Sequence, residues 1–325
     1  MLTLDDTRAL ILGHAVGDAL GVPVEFQTRE ELRQSSVTDM RGYGSYDVPA
    51  GAWSDDTSMT LALMESLARM GCVDYVDIMK NFLRWADDAE FTPTGFVFDM
   101  GHATMQALMK FANGTAPLDC GGKSEYDNGN GSLMRIAPLV LYLFQKNSQK
   151  ICSEEVLNVL HQGSSLTHSH PVSKMACGIY GLLVAEVISK RDLKSAIRSA
   201  LHEAHAIYEN TLDFSKFLNV YHRLWDMDAF AKLEEADIKS SGYVVDTLEA
   251  VIWCLLQTSG YRECVLLAVN LGEDTDTVAA IAGGVAGLAY GLDSISSEWM
   301  AQLKRYEYIE EMCKMFYCTI SKEVR

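Results

Sequence analysis

The sequence is poor in positive charge. Lys and Arg number 27 against 44 Asp and Glu, and the net charge of −17 excludes a general nucleic-acid binder, which must neutralise phosphates with clustered basic side chains. No basic stretch precedes the apolar part of MLTLDDTRALILGHAVGDAL, and Asp5, Asp6, Arg8, His14 and Asp18 interrupt it, so it is not expected to be a signal peptide. Long apolar runs are missing as well. The richest late stretch, Val278 to Leu292, is glycine-laden and shorter than the roughly 20 residues a bilayer-spanning helix needs, so no membrane segment is expected. The eight cysteines include no C-x-x-C pair and sit mostly in apolar, helix-like surroundings, which points to reduced thiols in a cytoplasmic protein. Turn-bounded alternating runs of Val, Ile and Thr are almost absent, which argues against a sheet. No Pro/Gly/Ser-rich linker divides the chain, so one domain over 1–325 is expected.

What the sequence does have is helical periodicity. With 48% apolar residues it can bury a large core. Ala9, Leu12, Ala15, Val16, Ala19 and Leu20 share one stripe, with Thr3 and Asp6 at capping-box spacing before it and Gly21 at a C′ position after it. A second helix opens at Ser54-Asp55-Asp56, carries Met59, Leu63, Met64 and Leu67, and stops at Gly71. Others are expected over 74–88, 99–112, 133–145, 153–161, 171–189, 193–209, 244–257, 261–270, 276–290 and 298–317. The class is all-α, a multi-helix bundle. The irregular stretches 31–51 and 114–131 are long enough to be functional or mobile, and the polar, weakly patterned window 212–241 has the look of a peripheral insertion.

Two acidic clusters stand at helix entries. Ser54-Asp55-Asp56 taken alone is explained by capping, and so is Gly272-Glu273-Asp274-Thr275-Asp276-Thr277 before VAAIAGGVAGLAYG. Together they offer four aspartates and two hydroxyls, the hard-oxygen donor set of Mg²⁺ or Mn²⁺. Neither cluster has the Gly and Glu positions of an EF-hand. Gly283, Gly284 and Gly287 let another backbone come close, so the last helix is expected to be central. An acidic N-terminus there would be costly without a cation. His168 and His170 lack a further ligand at zinc spacing. His170 reads as structural, and His14, His102, His161, His202, His205 and His222 are expected on helix surfaces.

The segments GHAVGDALGVPVEF (13–26), WSDDTSMTLAL (53–63), FDMG (98–101), NGNGSLMRIAPL (128–139), THSHP (167–171) and GEDTDTVAAIAGGVAGLAYG (272–291) resemble, in the same order, the ADP-ribosylglycohydrolase family. The resemblance implies a multi-helix bundle of that type and a pair of Mg²⁺ or Mn²⁺ ions held by Ser54, Asp55, Asp56, Asp274, Asp276 and Thr277. Ser54 stands where many relatives have Thr; both supply a hydroxyl. Glu25 matches an acidic residue near the metals and the scissile sugar. Asp99 matches one that contacts the ribose, although by itself it would pass as the cap of helix 99–112. Asn128, Gly129, Asn130, Gly131 and Ser132 open the helix holding Met134 and Ile136, so their backbone N–H groups are placed to cradle a pyrophosphate, where the alternative is an ordinary Asn-Gly turn. Arg135 either reaches phosphate or staples the fold. His168 is implied near the ribose.

The implied reaction is hydrolysis of the glycosidic bond of an ADP-ribosylated protein, with release of ADP-ribose. The metal ions activate water, Glu25 or Asp276 orients or deprotonates it, and Asp99 positions or protonates the sugar. FDMG and GNGSLMR look closest to the arginine-directed branch. ADP-ribosyl-serine and O-acetyl-ADP-ribose are the alternatives on the same scaffold, and a silent ADP-ribose-binding or crystallin-like protein is the alternative outside catalysis. A monomer is expected.

Overall fold

The Thr3 hydroxyl accepts from the Asp6 N–H at 3.0 Å and the Asp6 carboxylate from the Thr3 N–H at 2.8 Å, so the expected reciprocal cap starts the first helix. The computed structural model describes residues 2–147, 151–189 and 192–322. Among them the chain forms α1 (Leu4–Gly21), α2 (Arg29–Gln34), α3 (Asp55–Met70), α4 (Tyr75–Asp88), α5 (His102–Ala112), α6 (Ala137–Lys146), α7 (Glu154–Ser165), α8 (Pro171–Ile188) and α9 (Leu193–Glu209). Three single turns, α10 (Leu212–Ser215), α11 (His222–Trp225) and α12 (Met227–Phe230), lead to α13 (Val244–Gln257), α14 (Tyr261–Asn270), α15 (Thr275–Tyr290), α16 (Ser297–Gln302) and α17 (Tyr306–Ile320). No strand forms among the described residues; extended pairing is limited to the bridges Gly122–His168 and Gly129–Tyr243. The turns over 212–237 are pinned to α13 by the Arg223–Glu249 ion pair at 2.7 Å and by Trp253 Nε1 donating to Leu233 O at 3.0 Å.

The centre is an antiparallel pair, α1 and α15, whose backbones nearly touch. A Cβ on Gly13 would lie 2.5 Å from Gly283 O, one on Gly17 2.0 Å from Ala279 O, and one on Gly21 2.3 Å from Asp276 Cα. Glycine at every fourth position removes the side chains that would otherwise hold two helices apart. Gly21 therefore serves as a contact inside α1 and not as the expected C′ residue. The pairing buries both helices almost entirely and sets the C-terminus of α1 against the N-terminus of α15.

Other boundaries depart from the periodicity for local reasons. The helix expected from 133 starts at Ala137, with Pro138 in its first turn, where a missing N–H is harmless. The helix expected from 99 starts at His102, capped by Gly101, so Asp99 is not its cap. The stretch 298–317 breaks at Arg305, which adopts φ 50°, so that Lys304 N can donate to Gly51 O at 2.9 Å. His14 and His161 are buried, contrary to the surface placement expected for them: α1 is enclosed on all sides, and His161 pairs with the Tyr208 hydroxyl at 3.0 Å. His170 caps α8 through Val172 N. Among the described residues, α8 alone is long and apolar enough to cross a membrane, and 83% of it is buried inside the fold. All eight cysteines are free thiols, five of them buried.

Gly17→Ala places a methyl where the Ala279 carbonyl stands at 2.0 Å, so it should cost about 3 kcal/mol and lower the melting temperature by several degrees. A melting temperature within one degree of wild type would show that the α1–α15 contact is not tight.

Candidate metal centre and substrate cleft

The α1–α15 contact delivers the first carboxylates. Asp18, on the last turns of α1, accepts from Ser54 N at 2.8 Å, Thr57 N at 3.0 Å and the Thr57 hydroxyl at 2.6 Å, which ties the start of α3 to α1. Asp56 Oδ2 then accepts from the Ser54 hydroxyl at 3.0 Å and the Thr277 hydroxyl at 3.3 Å, which brings in α15. Glu25 follows a 3₁₀ turn, Val22–Val24, at the end of α1. Its loop is locked to the entry of α15 by Phe26 N donating to Glu273 O at 2.7 Å and Glu273 N to Gln27 O at 2.8 Å. The two acidic clusters, more than half the chain apart in sequence, thus meet.

Oxygens of Asp18, Asp56 and Asp276 lie within 4.8 Å of one another, and so do oxygens of Glu25, Asp99 and Asp276. Asp276 is common to both groups. Asp55 adjoins the second group through a hydrogen bond with Asp99, and Asp274 accepts from Asn130 Nδ2 at 2.6 Å. Burial pushes the carboxyls of Asp55, Asp56 and Asp276 well above the usual range, and neighbouring carboxylates push them further. Glu25 rises to about 9, first through burial and then through Asp99 and Asp274. Asp18, equally buried but held by its donors, rises only to about 6.

Among the described residues none of these seven carboxylates takes part in an ion pair with Lys, Arg or His. Arg135 is buried and spends its guanidinium on Gly131 O, on Gly163 O at 3.4 Å and on the Phe82 ring, so it staples the fold. Glu25 Oε2, Asp56 Oδ1 and Asp276 Oδ2 are buried with no hydrogen-bond partner. Orphaned carboxylate oxygens, hydroxyls at two helix entries and no counter-charge are the donor chemistry of a hard divalent cation. The residues present fit such a group.

A cleft of about 360 Å³ opens beside this cluster, lined by Glu25, Asp55, Asp99, Asp274 and Thr277. Gly129, Asn130, Gly131 and His168 complete its lining, and the two sets meet where Asn130 donates to Asp274. A Cβ on Gly131 would come 2.9 Å from the His168 ring, so the bare backbone keeps this part of the lining open. His168 is buried, bonded through Nδ1 to the Thr167 hydroxyl at 2.7 Å, and burial lowers its pKa to about 3, so the ring is neutral. The side chains of Asn128 and Ser132 turn away from the cleft. Asn128 accepts from the Ser173 hydroxyl at 3.0 Å and Ser132 from the Ser164 hydroxyl at 2.9 Å. Because α6 begins only at Ala137, the 128–132 loop does not sit on a helix N-terminus as expected. Besides α3 and α15, which bring Asp55, Asp274 and Thr277, α5 begins at the cleft, and its first turn, Gly101 to Thr104, lines it without a side-chain cap.

Sequence reasoning passed over three features. Asp18 was visible as a carboxylate inside an otherwise apolar helix, which is costly unless it has partners. Tyr46, whose hydroxyl bonds Glu25 and Asp99, carried no signal in its own loop. The first turn of α5 was hidden by placing its start at Asp99.

The ADP-ribosylglycohydrolase family model matches residues 2–323. The chain belongs to that family. An ADP-ribosylarginine hydrolase Tri1 from Serratia proteamaculans is 30% identical over 321 residues, which cover 99% of this chain and 81% of that protein. The ADP-ribosyl-[dinitrogen reductase] glycohydrolase of Rhodospirillum rubrum is 32% identical over 304 residues, 92% of this chain and 90% of that protein. A solved structure described as an ADP-ribosylglycohydrolase-related protein complex superposes with a TM-score of 0.78 at 31% identity, covering 98% of this chain and 99% of the other. The family fold and the expected all-α bundle therefore agree.

A cluster that repels itself when empty should be stabilised by the ion it binds. At about 100 times its dissociation constant, Mg²⁺ or Mn²⁺ adds about 2.7 kcal/mol and should raise the melting temperature by a few degrees. Asp276→Asn should lose most of that shift, while its chelator-treated form melts no lower than wild type because one repulsive charge is gone. If each aspartate only capped its own helix, the variant would instead be weaker with or without ion.

Proposed function

We propose that the protein hydrolyses the N-glycosidic bond between ADP-ribose and an arginine side chain of a modified protein, releasing ADP-ribose. The ligands in this reading are Ser54, Asp55, Asp56, Asp274, Asp276 and Thr277, holding a pair of Mg²⁺ or Mn²⁺ ions. The observation that carries it is the uncompensated carboxylate cluster that reaches a cleft lined also by glycine backbone and a neutral histidine. The arginine linkage is supported by relatives at 30 and 32% identity named for arginine and dinitrogen-reductase substrates. When bound, the ions polarise the ribose hydroxyls and a water and offset charge on oxygen.

The protein's own groups do the rest. Glu25, whose Oε2 is free and whose carboxyl would be held ionised by bound cations against the effect of burial, orients that water and takes its proton as the water oxygen bonds to the anomeric carbon. Tyr46 fixes Glu25 and Asp99 relative to one another through its hydroxyl. Asp99 grips the reacting ribose, and the proton released from water ends on the departing guanidine nitrogen. His168, neutral and held through Nδ1, offers its other ring nitrogen to a ribose hydroxyl. The diphosphate is met by the backbone N–H groups of Gly129 and Gly131, Asn130 N being spent on Gly242 O at 3.1 Å, and by those of the first turn of α5, where the helix dipole favours an anion.

The test is a panel of arginine-, serine- and cysteine-linked ADP-ribosyl peptides with and without Mg²⁺ or Mn²⁺. Ion-dependent release of ADP-ribose from the arginine-linked peptide is expected, and binding without release from any peptide would contradict the enzyme reading. Asp99→Asn should lower the turnover number by roughly 100-fold, the scale of an acid–base or positioning contribution. Near-normal turnover would remove Asp99 from the site.

A further inference from the structure

Exposed aromatic rings are gathered at one place on this molecule. Among the described residues the exposed Phe and Tyr are Phe26, Tyr43, Phe96, Tyr126 and Tyr243; Phe26 and Tyr126 line the cleft, and the other three lie on loops next to residues that line it or bond to them. Tyr126 and Tyr243 stand on the side of the 129–131 loop. Phe26, Tyr43 and Phe96 stand on the side of Glu25 and Asp99. Their three loops are joined to one another. Ser45 N donates to Pro23 O at 2.9 Å, the Tyr46 and Phe98 rings meet at 4.9 Å, and Phe96 and Phe98 at 6.1 Å. Tyr46 and Phe98 also pack on a small apolar cluster of Val22, Val48 and Ala52, separate from the main core. The rim is thus built, not loose.

Two of the three rings are held against backbone preference. Phe26 has φ 66° and Tyr43 φ 58°, in the left-handed region that glycine and asparagine occupy at much lower cost. Phe91, at φ 65°, also lies there, but its side chain is buried and recovers the cost by packing. The backbones of Phe26 and Tyr43 are held by Phe26 N donating to Glu273 O at 2.7 Å and Tyr43 N to Val48 O at 2.8 Å, but their rings, each 71% exposed, recover little of the cost by packing. Strain of this kind, on exposed rings beside the reacting carboxylates, points to a surface completed by something else.

The charge of the same loops says what. Residues 22–28, 42–53 and 89–101 contain four acidic residues, namely Glu25, Asp47, Glu90 and Asp99, and no Lys or Arg, and Asp87 and Asp88 end α4 just before the last of them. Of the cations on neighbouring elements, Arg84 pairs with Glu90, Arg305 donates to Thr92 O at 2.7 Å and stacks on Tyr308, and Arg41 donates to Ser35 O at 3.2 Å. Exposed rings among carboxylates are the receptor chemistry for guanidinium and ammonium groups.

We infer that Phe26, Tyr43 and Phe96 form a docking surface for a basic segment of the target protein, one carrying further Arg or Lys next to the modified arginine. This rests on the arginine-linked reading of the cleft and names its substrate class: arginine modified within a cationic stretch. The rings receive the flanking cations by cation–π contact, and the loop carboxylates select against acidic neighbours.

The test uses Tyr43→Asn combined with Phe96→Ser, because asparagine keeps the left-handed backbone and neither ring belongs to the reacting group. Hydrolysis is measured on ADP-ribosyl-arginine and on two ADP-ribosyl-arginine peptides, one with Lys and Arg flanks and one with Ser and Glu flanks. Wild type should favour the basic peptide in kcat/KM by about 10-fold, the scale of two exposed cation–π contacts, and the preference should shrink as salt rises. The double variant should lose the preference while keeping its rate on ADP-ribosyl-arginine. In a second arm, fluorescence anisotropy follows a labelled, unmodified basic peptide, whose affinity should fall by about the same factor in the variant. Equal rates on both peptides in wild type, or equal peptide affinity in wild type and variant, would overturn the docking surface. Absence of turnover on every arginine-linked substrate would overturn the reading of the cleft instead, and the anisotropy arm would still judge the surface.

Discussion

Seven carboxylates converge at one end of the α1–α15 pair, and among the described residues no Lys or Arg pairs with them. Two like charges about 4.8 Å apart repel by roughly 3 to 4 kcal/mol at an effective dielectric constant of about 20. The fold has to hold several such pairs. It does so with backbone, not with counter-charge: glycines at 13, 17 and 21 let α1 lie directly on α15, and Asp18 is satisfied by three donors from the start of α3. These contacts force Glu25, Asp56 and Asp276 together and leave one oxygen of each without a partner. The unpaired oxygens are the reason for reading the cluster as a cation site and not as three capped helices.

That arrangement answers how a chain with net charge −17 accepts a substrate bearing a diphosphate. Positive potential would be supplied locally, by divalent ions at the carboxylates and by backbone N–H groups of the glycine loop and of α5, and none of it needs a basic side chain. Arg135 illustrates the division. It lies within reach of Asp55 electrostatically, yet it is buried and committed to the carbonyls of Gly131 in the glycine loop and Gly163 in α7, so it braces that loop without binding the ligand. The neutral His168 adjoins the same loop.

Much of this was legible in the sequence, for reasons that differ from residue to residue. Helix content followed from periodicity, and the first helix from Thr3 and Asp6. The two acidic clusters could be read because each combines a hydroxyl with adjacent aspartates before a strong apolar helix. Asp18 could have been read by the same logic and was passed over because it sat inside the helix. The 128–132 loop was placed on a helix N-terminus because Met134 and Ile136 look helical, whereas Pro138 delays α6 to Ala137. Tyr46 and the first turn of α5 reach the site only through tertiary packing of irregular loops, and local pattern carries no record of that.

The central claim is that the carboxylate cluster binds divalent ions directly, so the decisive measurement is a count of bound ions. Titration of the metal-free protein with Mn²⁺, following free ion by electron paramagnetic resonance, should show two ions taken up per chain, with spectral broadening from their proximity. Asp56→Asn, which alters an oxygen donor to the first carboxylate group, should reduce that number or the affinity. Uptake of no ions, or weak uptake that is the same in the variant, would contradict the account.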